Sequence, residues 1–173
     1  VGRLSREKRL DVVLSAVARL AKAEPDLRLL VAGTGPAAGF YADEAKRMGI
    51  SDRVVFAGYM PDDELRRAYA SCDMLVLAST FETQGLVVLE ALASGTPVAG
   101  MNSRAIPEFV QEGKNGCLFD EASCAEGIMR CLSRATSMKI NAVASAREYS
   151  MEACTKRLEA AYSLSAEILA RTH

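Results

Sequence analysis

Five short apolar runs, separated by stretches of helical period, constrain this chain more than any other feature. LRLLVAG (27–33), RVVFAG (53–58), MLVLAS (74–79), PVAG (97–100) and the shorter GCLF (116–119) are apolar without alternation. Strands covered on both faces read this way. The opening VGRL reads as the tail of a first strand, so the natural chain is expected to begin upstream of Val1. Between the runs, residues 10–23 place Leu10, Val13, Leu14, Val17 and Leu20 on one helical face. Residues 41–49 end at Gly49, residues 61–72 open with Pro61 and acids, and residues 85–94 run to Gly95, all helix start or stop signals. From about Glu121 onward the chain is helical in pattern. Strand–helix alternation of this kind predicts a Rossmann-like α/β fold: a doubly wound parallel sheet flanked by helices, with a helical tail over 121–173. No repeat or long linker divides the 173 residues, so a single domain is expected, with its α/β core in 1–120.

Bulk chemistry narrows the functions. The 21 basic residues face 22 acidic ones, and a net charge of −1 gives no electrostatic footprint for nucleic acid. The longest apolar runs are far too short to span a bilayer. Five cysteines without CxxC spacing, and one histidine at the last position, argue against a zinc site. The odd cysteine count fits reduced thiols used as core filling, and a cytoplasmic location.

In doubly wound sheets, ligands sit at the carboxyl ends of the strands. Four loops fall there: GRLSREK (2–8) with Arg3 and Lys8, GTGP (33–36), GYMPDD (58–63) and TFETQG (80–85). Glu90 lies in the apolar stretch GLVVLEALA, where a carboxylate is costly without partners. Paired ribose hydroxyls would be such partners. The free N–H groups of residues 84–87 at the helix start would form an anion site, and a diphosphate there would also be neutralised by Arg3 and Lys8.

Several stretches in order carry a family resemblance: VGRLSREKRLDVVLSAV, LLVAGTGP, VVFAGYMPDDELRRAYASCDMLVLAST, FETQGLVVLEALASGTPVAG and IPEFVQEGKNGCLF. Together they resemble the C-terminal, donor-binding half of family-4 retaining glycosyltransferases of the GT-B fold. The E-x7-E element (Glu82, Glu90) is the signature, and it gains weight from its neighbours. The resemblance implies roles. Arg3 and Lys8 would grip the diphosphate, and Glu82 would contact the transferred sugar. Glu90 would hold the ribose, and main-chain groups near Met60 would read the base. Gln84, Gly85, Leu86 and Val87 would offer amides to phosphate and sugar, and Gly33 would let the donor approach. The donor would be a UDP-sugar or GDP-sugar, with no metal and no further cofactor. The family's N-terminal acceptor-binding half is absent from the sequence, so the chain alone is expected to be inactive. That half could bring the enzyme to the inner face of a membrane.

Three departures stand out. Arg9 occupies the place where the family usually has glycine. Gln84 replaces the usual aromatic residue. NSRA (102–105) replaces a loop that is often glycine-rich. Rival readings are a dinucleotide-binding module suggested by GTGPAAG (33–39), a non-catalytic α/β domain, and a GT-B epimerase or phosphorylase-like enzyme.

Overall fold

The computed structural model describes residues 1–171. Strands β1 (Leu29–Ala32), β2 (Val54–Gly58), β3 (Leu75–Leu77), β4 (Val98–Met101) and β5 (Gly116–Phe119) alternate with helices α1 (Leu10–Leu20), α2 (Ala38–Arg47), α3 (Asp62–Ser71), α4 (Leu86–Ala93) and the short α5 (Ile106–Phe109). Three helices follow: α6 (Cys124–Leu132), α7 (Ala135–Arg147) and α8 (Met151–Arg171). All pairings are parallel, and helices flank the sheets in a Rossmann-like arrangement. Strand β4 runs between β3 and β5 with all four residues buried, which explains its uninterrupted apolar sequence.

The expected single sheet is divided. β1 pairs with β2, and β3 with β4 and β5, but β1 and β3 are not hydrogen-bonded to one another. An apolar groove separates them, lined by Leu29, Val31, Leu75, Val76, Leu10 and Val13. Residues 1–4 form no strand, which corrects the expectation for VGRL. They instead lie extended beyond the end of β1, Gly2 N–H donating to the Ala32 carbonyl (3.0 Å) and Leu4 N–H to the Thr34 carbonyl (2.9 Å).

Helix starts follow local chemistry. Asp62, Asp63 and Glu64 occupy the first turn of α3, where the helix dipole favours negative charge. Gly85 caps α4 with φ +63, and a Cβ there would lie 2.6 Å from the Phe109 ring. α4 buries Val88, Ala91 and Leu92 and packs against α3 and α7, while α1 packs against α2 and α6. Cys117, Cys124 and Cys131 are buried as expected, but Cys154 is exposed on α8, a helix with no buried residue. Burial pushes the Cys124 and Cys131 thiols up to about 12, so they are inert filling.

Candidate functional site

The carboxyl ends of the strands bring the expected loops together. A 3-10 turn at Arg6–Lys8 is held by Ser5, whose hydroxyl donates to Glu7 Oε1 (2.6 Å) and whose carbonyl accepts from the buried Tyr41 hydroxyl (3.1 Å). This turn aims Lys8 across the rim, where Lys8 Nζ donates to Glu82 Oε2 at 2.8 Å. Glu82 is 12% exposed at its side chain, and its other oxygen accepts from Gly85 N–H (3.3 Å). Its carbonyl accepts from Ala105 N–H (3.2 Å), and Thr80 N–H donates to the Glu7 carbonyl (3.3 Å). Three loops thus meet around Glu82, with Lys8 and Gly85 on its carboxylate and Ala105 on its main chain.

Two adjoining cavities lie along α3, the first at the carboxyl ends of β1 and β2 and the second between α3 and α4. The first, about 610 Å³, is lined by Arg3, Gly33, Gly35, Tyr59 and Met60 among others. The second, about 420 Å³, is lined by Arg66, Tyr69, Glu90 and Ser94. Asp62 and Leu65 line both, so the two are neighbours across one face of α3. Arg3 and Gln84 are exposed, as is Leu86, while Val87 is half-buried and Gly85 buried. Gly85 N–H is already engaged by Glu82, whereas among the described residues the N–H groups of Leu86 and Val87 find no acceptor, as expected for the first turn of a helix.

Glu90 requires a correction. The apolar context suggests a buried carboxylate, yet Glu90 is exposed, on the outer face of α4. Its Oε2 accepts from the Tyr69 hydroxyl at 3.0 Å. Burial, then the Glu90 charge, push the Tyr69 phenol far above its usual range, so it stays a donor. Tyr69 and Asp62 were not singled out by the sequence as site residues. The spacing Asp62, Leu65, Tyr69 on one helical face was the available signal.

Gly33 has φ +130, and a Cβ on it would fall 1.8 Å from the Gly2 carbonyl oxygen. The close approach it permits in this structure is therefore to Gly2, while its open side lines the first cavity. Gly35 is constrained likewise, its Cβ position lying 2.3 Å from the Leu4 carbonyl oxygen. Gly39 is different: a Cβ there meets nothing within 4 Å. A dinucleotide fingerprint uses its last glycine for tight helix–strand packing, and Gly39 has no such task.

The model of the family described as "Glycosyl transferases group 1" matches residues 1–149. This chain belongs to that family. The chain is 40% identical to sulfoquinovosyl transferase SQD2 of Arabidopsis thaliana over 69% of its length, covering 22% of that protein. It is 36% identical to alpha-monoglucosyldiacylglycerol synthase of Streptococcus pneumoniae over 76% of its length, covering 30% of that protein. Among solved structures, the catalytic domain of cholesterol-alpha-glucosyltransferase from Helicobacter pylori matches with a TM-score of 0.75 at 27% identity, over 87% of this chain and 96% of that one. Anabaena HepE in complex with UDP matches with a TM-score of 0.79 at 25% identity, over 95% of this chain and 48% of that one. The fold is that of the C-terminal half of a GT-B glycosyltransferase. The chain spans less than a third of the length of these two curated relatives.

Two arginines have a left-handed backbone: Arg9, where the family usually has glycine, and Arg104, in the 102–105 loop that is often glycine-rich. Arg9 (φ +49) uses its side chain within the fold, reaching Glu121 through both terminal nitrogens and Asp11 through Nε (3.3 Å). The hydrogen bond to Glu121 raises the Arg9 pKa, and the same bond lowers that of Glu121. Arg104 (φ +54) has no such carboxylate partner among the described residues.

Proposed function

We propose that this chain is the donor-binding half of a retaining, metal-independent glycosyltransferase. It would move a hexose from a nucleoside diphosphate sugar to a glycan, lipid or other acceptor, jointly with an N-terminal half that binds the acceptor. The observation that carries the reading is the Lys8–Glu82 pair, whose carboxylate also accepts from Gly85 N–H at the start of α4. A cation and a carboxylate paired at a rim opening are poised to exchange each other for substrate. Lys8 can turn to a phosphate oxygen while Glu82 accepts from sugar hydroxyls.

The other residues fall into place around that exchange. Arg3 would share the diphosphate with Lys8 and with the Leu86 and Val87 N–H groups at the helix start. Main chain near Met60, with Gly33 beside it, would take the base in the first cavity. Glu90, held by Tyr69, would accept from the ribose hydroxyls in the second. In the reaction, the bond between the anomeric carbon and the diphosphate oxygen breaks, and the acceptor oxygen bonds to that carbon from the same face. The acceptor proton passes to the departing phosphate. Negative charge growing on that phosphate would be met by Arg3, Lys8 and the helix start, so the cationic help a metal can give comes from the protein. Alone, the chain would bind donor without turning it over. Cys117, Cys124 and Cys131, buried as core filling, are in keeping with a cytoplasmic setting.

HepE, a relative of known structure, was solved with UDP and glucose, which favours a UDP-sugar here over a GDP-sugar. Thermal unfolding with UDP, GDP, ADP, NAD and NADP tests the reading. A nucleoside diphosphate should raise the midpoint, and the dinucleotides should not.

A further inference from the structure

Arg104 stands out once the donor site is drawn. It follows β4 at the carboxyl rim, in the turn whose Ala105 N–H holds the Glu82 carbonyl. Its backbone is left-handed, a conformation that costs a side-chain-bearing residue free energy and that glycine adopts freely. Arg9 accounts for the same strain by bridging to Glu121. Arg104 makes no ion pair within the described residues. Its guanidinium lies instead 6.0 Å from the ring of Phe81, the residue next to Glu82, and Phe81 is 61% exposed. This contact with the aromatic face holds the exposed guanidinium over Phe81 and leaves its N–H donors open to a ligand. The turn thus holds a fork of five donors over Phe81, the chain neighbour of the residue assigned to the sugar, and among the described residues no ion pair engages it.

Resting on the donor-site reading above, we propose that Arg104 is a specificity-determining residue that receives an anionic group of the substrate next to the transferred hexose. The group is a carboxylate, sulfonate or phosphate, matched in shape by the planar fork. It belongs either to the donor sugar or to the acceptor. Phe81 acts as the positioning residue that aims it.

Calorimetric titration of the full chain tests this with R104G and R104K, and glycine at that φ leaves the fold intact. The donor arm compares UDP-glucuronate with UDP-glucose. The acceptor arm, run on the enzyme that includes the acceptor-binding half, compares glycerol 3-phosphate with glycerol in the presence of UDP. In wild type the anionic member of one pair binds about tenfold more tightly, R104G abolishes that preference, and R104K restores part of it. UDP itself binds R104G and wild type alike. The arm that responds identifies the source of the anion. If R104G changes neither preference, or weakens UDP as much as the anionic ligand, the proposal is overturned. If wild type does not bind UDP, the donor-site reading itself has failed, and that result is visible before any variant is compared.

Discussion

Lys8 and Glu82, 74 residues apart in sequence, meet at 2.8 Å on the rim of the sheet. The pair is part-buried, with side-chain exposures of 27% and 12%, so each charge is the other's main compensation until a ligand arrives. Removing the cation should therefore weaken anion binding without loosening the core. K8M should bind UDP about 10–100-fold more weakly, the loss expected for one or two charge-assisted hydrogen bonds. Added salt should weaken the wild type more than the variant. Titration calorimetry at two ionic strengths reads both effects.

Glu90 and Tyr69 give a second expectation. If Glu90 holds the ribose, wild type should prefer UDP over 2′-deoxy-UDP by about tenfold, one hydrogen bond to a charged acceptor. E90Q should lose that preference while keeping its unfolding midpoint, because the side chain is exposed. Y69F should reduce the preference only a few-fold. Equal loss of both nucleotides in E90Q would move the ribose elsewhere.

The glycines of 33–39 separate packing from permissiveness. G33A would force a Cβ onto the Gly2 carbonyl at a φ of +130, and should lower the midpoint by about 5–10 °C, a cost of a few kcal/mol. G39A, inside α2 with open space around it, should be neutral or raise the midpoint by a degree or two, roughly the 0.4–1 kcal/mol of reduced chain freedom. A module built on the dinucleotide fingerprint would show G39A as damaging.

The Arg9–Glu121 bridge should make stability respond to acid. The hydrogen bond to Arg9 depresses the folded-state pKa of Glu121. Its stabilisation is therefore complete above the ordinary glutamate value, roughly 4.3, and is lost as pH falls through the depressed value. E121Q should unfold at a slightly lower temperature than wild type at pH 7, and the difference should disappear in strong acid. A difference that grows on acidification would contradict the assignment.

Much of this was legible in the sequence, because apolar runs and stop signals report local structure. RVVFAG and GCLF coincide with β2 and β5 to within a residue, and the helix read at 61–72 with α3. The readings that failed depended on three-dimensional context. GLVVLEALA is so uniformly apolar that it does not say which face is inward, and so Glu90 was expected to be buried. α2 begins three residues before the periodic stretch at 41–49, because Ala38, Gly39 and Phe40 carry no start signal. VGRL has the composition of a strand, but its residues bond only to the far end of β1 and its turn. α5, four residues around Pro107, is too short to leave a period. Tyr69 reads as one more apolar-face residue until Glu90 is placed beside it. The left-handed backbone of Arg9 and Arg104 has no mark in the sequence beyond the absence of an expected glycine.

This rim is proposed to hold a nucleoside diphosphate through Lys8, Arg3 and the start of α4. Titrating the chain with UDP tests it most directly, with NAD as the control and K8M as the variant. One-site binding of UDP is expected, with none of NAD and a much weakened UDP isotherm for K8M. Binding of NAD in preference to UDP, or UDP binding that K8M leaves unchanged, would contradict it.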